Sequence, residues 1–265
     1  MLKYRCGSRE CLAVLAWLVV TAGCGTAPEE QQPASRGAAE APAPAPTTST
    51  PAAGSATIQG TIKYEGDLPS LRPLDMGADP QCAEKHDQPV PSEILVVGDG
   101  GTLANVYVSI TSGLPEGEWP TPAEPVVMNQ YGCRYDPHVM GIMVGQPFKI
   151  LNSDGVLHNV HALPKKNKTF NMAMPASRTE AVETFNKVED MFTIKCDVHP
   201  WMNAYIAVTS HPFFSVTAGD GVFSIENLPA GDYEIEAWHE KLGTQTASLS
   251  VADGAAETVE LVFTR

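Results

Sequence analysis

Short runs of alternating apolar and polar residues recur along the chain from about residue 57, separated by Gly, Pro, Asn and Asp turns. The runs are TIQGTIKY, ANVYVSI, VMGIMV, FKIL, FTIKC, AYIAVTS, GVFSIENL, YEIEAW, ASLSVA and TVELVF. A period of two places successive side chains on opposite faces of a strand, and β-branched and aromatic residues favour strands. With 22 Gly and 22 Pro, the composition disfavours a helical bundle. The sequence predicts an all-β fold of the sandwich type.

The charge balance argues against nucleic acid as a partner. The chain has 17 Lys and Arg against 31 Asp and Glu, for a net charge of -14. A polyanion is repelled by such a surface, and no basic tract reverses the balance locally.

The first 24 residues have the pattern of an export signal. Lys3, Arg5 and Arg9 precede an apolar run over residues 11–20, which is too short to span a bilayer. The motif TAGC resembles a lipobox, with Thr21 where Leu is usual, and this resemblance implies lipidation of Cys24. Ordinary signal-peptidase cleavage nearby is the alternative. Either route predicts an exported protein, in the periplasm or on the outer face of a bacterial membrane.

A segment rich in Ala, Pro, Ser and Thr follows, over residues 25–56. It offers no apolar face, and its prolines favour extended conformations. We interpret it as a disordered linker, which would hold a folded domain away from the membrane to which a lipid anchor attaches the chain.

The segment MFTIKCDVHPWMNAYIAV places a thiol, an imidazole and a thioether on one tight loop, as Cys196, His199 and Met202. A second imidazole, His158, follows the predicted strand FKILN about forty residues upstream, in LNSDGVLHNVHA. Two His and one Cys with a distant axial Met form the ligand set of a blue-copper electron-transfer centre. The pattern therefore predicts copper as the cofactor.

The runs VGQPFKILNSDGVLHNVHA and FTIKCDVHPWMNAYIAV resemble the cupredoxin family, over residues 126–210. The resemblance implies a Greek-key sandwich over residues 116–210. It also implies that His158, Cys196 and His199 are equatorial copper ligands and that Met202 is the axial one. Asn159 matches the family residue whose side chain braces the Cys loop.

A cupredoxin of this kind carries one electron on a mononuclear type 1 copper and catalyses no reaction. The resemblance implies a redox partner protein, to which His199 at the loop tip would present its ring edge. Catalytic copper sites need further His pairs, and a binuclear centre needs a second Cys in the loop, which has only Asp197 and Val198 between Cys196 and His199. A non-redox role in copper storage, or a structural interaction module that has kept the loop, remains the alternative.

Neighbouring residues admit simpler interpretations. A lone Cys beside a His is often a buried thiol. Here the position of Met202 in the same loop and the upstream pair His158–Asn159 favour a metal site. We expect His161 to lie beside the site without binding the metal. Met172, Met174 and Trp201 are expected to form an apolar rim around it. Asn203 stands where the family commonly has Gly.

Cys82 and Cys133 are each followed by a histidine, in CAEKH and CRYDPH. A pair of cysteines in an exported protein usually forms a disulfide. The same residues with His86 and His138 would also provide four ligands for zinc. The disulfide is the preferred interpretation.

The C-terminal motif AGDGVFSIENLPAGDY resembles the carboxypeptidase regulatory-like domain, a small transthyretin-like sandwich. About fifty residues are too few for that domain, and a string typical of its opening strand, GTIKYEGDLP, occurs at Gly60. We therefore predict that residues 57–115 and 211–265 form one sandwich, with the copper domain inserted between them. The resemblance implies a structural or interaction role for this second sandwich.

Overall fold

The computed structural model describes residues 49–265, so the predicted signal peptide, Cys24 and most of the linker lie outside the described residues. The described chain is almost entirely strand and loop, and the predicted all-β fold class is confirmed. In chain order the strands are β1 (Ala56–Glu65), β2 (Tyr107–Ser112), β3 (Val126–Tyr131), β4 (Arg134–Asp136), β5 (Val139–Met143), β6 (Pro147–Asn152), β7 (His158–Ala162), β8 (Phe170–Met174), β9 (Glu180–Thr184), β10 (Glu189–Lys195), β11 (Asn203–Thr209), β12 (Phe214–Val216), β13 (Val222–Leu228), β14 (Gly231–His239), β15 (Gly243–Val251) and β16 (Ala256–Thr264).

A short helix, α1 (Pro80–Ala83), and a 3-10 turn, Asp99–Gly101, lie between β1 and β2. Within residues 49–265, no helix has both the length and the apolar character needed to cross a membrane.

Strands β3 to β11 form the central sandwich, which has two facing sheets. One sheet has the order β5-β11-β10-β7-β8 and the other β4-β3-β6-β9, so the chain crosses repeatedly from one sheet to the other. Pairs β3–β6 and β5–β11 are parallel, whereas the remaining neighbours are antiparallel. Alternate residues of each strand point into one core, as Phe148 and Ile150 do from β6, and Ile194 and Ile206 from β10 and β11.

Strands β1, β2 and β12 to β16 form the flanking sandwich. Its sheets have the orders β13-β1-β16 and β12-β2-β14-β15. Strand β1 pairs antiparallel with β13, where Ile58 lies opposite Ile225, and parallel with β16, where Ile62 lies opposite Leu261. These four residues belong to a separate hydrophobic core. The two ends of the described chain thus build one sandwich, while its assignment to a regulatory-like domain stays a prediction.

A hydrogen-bonded cluster joins the two sandwiches. Glu240, at the end of β14, accepts hydrogen bonds from the ring of His138 and from the hydroxyl of Tyr205, the latter at 2.9 Å. The other ring nitrogen of His138 contacts the carbonyl of Asn203 at 3.1 Å, at the start of β11. The end of β14 is therefore fixed against the strand that follows the predicted copper loop.

The long connection between β1 and β2 does not stay with the flanking sandwich. We call its segment Leu74–Val90 the strap, because a hydrogen bond from Leu74 N to Val90 O at 2.8 Å closes it into a loop. Met76, Cys82 and Val90 of the strap are buried against Cys133 and Val156 of the central sandwich. The strap is part of residues 57–115, which are predicted to belong to the flanking sandwich, but it covers the central sandwich.

Glu189, at the start of β10, fixes the turn between β7 and β8. Its carboxylate accepts hydrogen bonds from the backbone N–H groups of Lys165, Lys166 and Asn167 at 2.7–2.9 Å. Burial raises the pKa of Glu189, but these three donors outweigh burial and hold the pKa below its ordinary value. The ionised carboxylate is therefore part of the folded structure.

Glu189→Gln should lower the free energy of unfolding at neutral pH by about 1–3 kcal/mol, because buried N–H donors lose an acceptor. Because the Glu189 pKa is lower in the folded state, the carboxylate stabilises the protein at pH values above its unfolded-state pKa of about 4.3. This stabilisation is lost as the pH falls through the folded-state pKa. The variant should therefore lose less stability than the parent on acidification. Denaturant unfolding at neutral and acidic pH measures both effects. Asp190→Asn is the control, since that side chain is 96% exposed; equal losses in both variants would contradict the prediction.

Candidate metal centre

The loop between β10 and β11 closes on itself through two backbone hydrogen bonds. Cys196 N donates to Met202 O at 2.9 Å, and Met202 N donates to His199 O at 3.0 Å. Pro200, with its fixed backbone φ angle, lies within this turn. Three predicted donors, which are spread over seven residues of the chain, are thereby held at one end of the sandwich.

Strand β7 brings the fourth predicted donor to the same place. Its first residue is His158, whose Nδ1 atom lies 2.9 Å from Nδ1 of His199. The sulfur of Cys196 lies 3.7 Å from the same His199 Nδ1 atom. The donor atoms of these three residues all lie within 4.8 Å of one another. Each of the three residues is at most 2% exposed, and Met202 is buried in the same hydrophobic core as Cys196.

The facing imidazoles fit a metal ion. Two Nδ1 lone pairs at 2.9 Å repel each other unless a proton or a cation lies between them. Burial in an apolar core makes such a polar contact costly unless it is satisfied. A thiolate and two imidazoles are soft donors, so the residues present suit copper.

Asn159 braces Cys196 from the adjacent strand. Its Oδ1 accepts from the backbone N–H of Asp197 at 2.6 Å and lies 3.3 Å from the sulfur. Burial raises the pKa of the Cys196 thiol, but a hydrogen bond from His158 and nearby backbone N–H groups outweigh burial and lower the pKa to about 7. The thiolate form that binds metals is therefore accessible near neutral pH.

A carboxylate lies behind each imidazole. Nε2 of His158 is 2.9 Å from Asp154 Oδ2, and Nε2 of His199 is 3.0 Å from Asp79 Oδ2. A carboxylate accepts hydrogen bonds, so each Nε2 carries a proton, and each Nδ1, which faces the other ring, is the atom that a metal would bind. The hydrogen bond from His199 lowers the pKa of Asp79. Burial raises the pKa of Asp154, but His158 and two backbone N–H groups outweigh burial and lower it.

The structure contains a disulfide between Cys82 and Cys133, with Cα atoms 5.6 Å apart. The zinc alternative is wrong, because the two histidines that it requires point elsewhere. His86 Nε2 contacts Gly132 O at 2.9 Å, whereas His138 binds Glu240. The bridge attaches the strap to the turn between β3 and β4.

The strap covers His199, and this corrects one prediction. His199 is 1% exposed, so it does not present its ring edge to a partner. Asp79 and the Cys82 sulfur occupy that edge, with Cys82 Sγ at 3.7 Å from Nε2. Trp201 adds a further contact, since its Nε1 donates to Cys133 O at 3.1 Å. The irregular chain between β1 and β2 supplies a cover that strand periodicity does not predict.

The remaining predicted neighbours lie around the cluster. His161 Nδ1 lies 2.9 Å from Asp197 Oδ2 and is bound there, at a partly exposed position. Met172 and Met174 are buried in the central core, and the Trp201 ring lies 5.0 Å from that of His199.

Sequence reasoning missed both carboxylates. Asp154 lies four residues before His158 in DGVLH, a spacing that a search for imidazole partners could have found. Asp79 lies 120 residues from His199, in a segment without periodicity, and carries no such signal.

No protein-family model matches the chain, and no curated protein matches it. Solved structures that do match include a Cu-containing nitrite reductase from Thermus scotoductus SA-01, at 20% identity and a TM-score of 0.30, over 37% of this chain and 25% of that one. A Cu(I) form of an amicyanin mutant matches at 18% identity and a TM-score of 0.30, over 38% of this chain and 98% of that one. A purple cupredoxin from Nitrosopumilus maritimus matches at 21% identity and a TM-score of 0.27, over 32% of this chain and 99% of that one. The match thus spans only a quarter of the nitrite reductase, and these similarities assign no family.

Replacing both bridged cysteines, as Cys82→Ala with Cys133→Ala, should lower the free energy of unfolding by about 2–4 kcal/mol. The disulfide closes a loop with a sequence separation of 51, and its loss gives the unfolded chain more freedom. Denaturant unfolding without reductant, against the parent protein, measures the change. Unchanged stability would show that the bridge adds nothing to the fold.

Proposed function

We propose that this protein is an exported copper protein that carries one electron at a time on a mononuclear type 1 centre. The observation that carries the proposal is the buried cluster of His158, Cys196 and His199, in which the Nδ1 atoms of two imidazoles and a thiol face one another. Met202, buried in the same core, is the proposed axial donor. Copper would supply the change between two oxidation states.

The protein's own residues prepare the donors. Cys196 offers a thiolate near neutral pH, and Asn159 holds the loop that carries it. The apolar core excludes water, and one sheet fixes His158, the first residue of β7, and Cys196, which directly follows the neighbouring strand β10. A site held this firmly rearranges little when its charge changes by one, which favours electron transfer.

We propose no catalytic reaction. The three donors are at most 2% exposed, so a substrate has no direct access to them. The strap closes the side on which His199 would otherwise meet solvent.

The location and partners follow from the sequence predictions. We propose export through residues 1–24, attachment to a membrane by a lipid on Cys24 and a linker over residues 25–56. With a net charge of -14, the protein should meet a redox partner with a basic or neutral docking face. The flanking sandwich is proposed to be a regulatory-like module with a structural or interaction role.

Copper storage is the second candidate function, and the strap favours it. A cover over His199 that is attached by a disulfide hinders exchange of a bound ion. Visible absorption that disappears on reduction and returns on oxidation, with one electron exchanged for each copper, supports the carrier. A copper complex that is colourless in both states would support storage.

Cys196→Ser should abolish the visible thiolate-to-copper absorption while the sandwich remains folded, because a hydroxyl is a harder and poorer ligand for copper. Visible and paramagnetic resonance spectra of the copper-loaded protein measure the first effect, and circular dichroism checks the second. Absorption that persists in the variant would remove Cys196 from the site.

Met202→Leu should leave copper bound but raise its reduction potential, because loss of a thioether donor destabilises the oxidised ion more than the reduced one. Voltammetry measures the potential. Met174→Leu is the matched control, since Met174 is fully buried in the same core but is not a proposed ligand. Equal potentials in the Met202 variant and the parent would mean that Met202 only packs.

A further inference from the structure

Asp79 lies on the strap, outside both sheets of the central sandwich, yet it contacts a proposed copper ligand. We propose that Asp79 is a positioning residue that determines which ring nitrogen of His199 carries the proton. The inference rests on the proposed function, because it concerns how the chain prepares His199 for the metal.

The two carboxylate oxygens of Asp79 have separate partners. Oδ1 accepts from the backbone N–H of Gln81 at 2.9 Å, as the N-cap of α1, and Oδ2 lies 3.0 Å from Nε2 of His199. A carboxylate has no proton to donate, so this contact requires a proton on Nε2. Nδ1 of His199 is then left with its lone pair, directed towards Cys196 and His158.

The strap holds Asp79 in this position. Three residues further along, Cys82 is bonded to Cys133. Lys85 Nζ then donates to Asp154 O at 2.7 Å and lies 3.6 Å from Asp154 Oδ1. The contact to His199 is therefore made by an anchored segment with a capped helix and a covalent bridge.

Asp79 also stands between His199 and solvent. Its side chain is 29% exposed, whereas that of His199 is 1% exposed. The carboxylate thus occupies the place where water would otherwise bind Nε2. Because water both donates and accepts hydrogen bonds, it would not fix the tautomer as a carboxylate does.

Asp79→Asn separates positioning from helix capping. The Asn side-chain oxygen can still accept from Gln81 N, and Asn is a good N-cap. Its NH2 group then faces Nε2 of His199, where two donors would meet. The variant should move the proton of His199 to Nδ1, the nitrogen that the metal needs.

The first measurement uses the full chain without metal. Nitrogen-15 resonances of the His199 ring should show a protonated Nε2 in the parent and an unprotonated Nε2 in Asp79→Asn. Asp75→Asn is the matched control on the strap, because Asp75 is exposed and, among residues 49–265, its side chain accepts a hydrogen bond only from Gly77 N. Its His199 resonances should equal those of the parent.

The second measurement is copper affinity by competition with a chelator. Loss of a carboxylate behind a ligand His typically costs 10–100-fold in metal affinity. We expect a loss of about that size for Asp79→Asn and no change for Asp75→Asn. If Asp79→Asn does not fold, Asp79→Ser keeps a side-chain cap but has no carboxylate, and a mixture of the two His199 tautomers with a similar loss of affinity is expected.

The outcomes separate the two proposals. Parent protein without thiolate-to-copper absorption would overturn the proposed function, whereas the tautomer measurement without metal would still test Asp79. A parent that binds copper as proposed, beside Asp79 variants with the parent's tautomer and affinity, would overturn the inference alone.

Discussion

The carboxylate of Asp154 joins parts of the chain that are far apart in sequence. It accepts hydrogen bonds from the backbone of Gly132 and Cys133 at 2.7 and 2.8 Å, contacts His158 at 2.9 Å and lies 3.6 Å from Lys85 of the strap. Its side chain is 1% exposed, and a buried charge is costly unless donors surround it. The same group therefore fixes the turn that carries the disulfide, orients an imidazole and attaches the strap. The geometry of the candidate centre depends on this one buried charge.

The parts of the site that the sequence predicts are local. Cys196, His199 and Met202 share one short loop, and two antiparallel strands bring the ends of such a loop together whatever surrounds it. His158 begins a strand that pairs with β10. Alternation does not show which strands are neighbours, so the place of His158 beside the loop came from the resemblance to the cupredoxin family. The all-β class follows from the period of two alone.

The cover over the site could not be predicted in this way. The chain between β1 and β2 has no hydrophobic period, and such a segment gives no sign of the surface on which it will pack. Asp79 meets His199 across 120 residues, and the contact depends on a disulfide whose pairing was only one of two interpretations. The expectation that His199 is exposed came from resemblance of the loop alone. It was wrong because burial of a residue depends on segments outside its own motif.

The flanking sandwich has a part in closing the candidate centre. The strap belongs to the connection between β1 and β2, and these strands lie in opposite sheets of that sandwich, so both ends of the connection are fixed by its core. Glu240 of the same sandwich holds His138 and Tyr205 beside β11, the strand that follows the loop of Cys196, His199 and Met202. A central sandwich without these contacts would keep its donors but lose the anchored ends of the cover. The nested order of the chain therefore links the environment of His199 to the folding of both sandwiches, because the segment that shields the ring begins and ends in the other core.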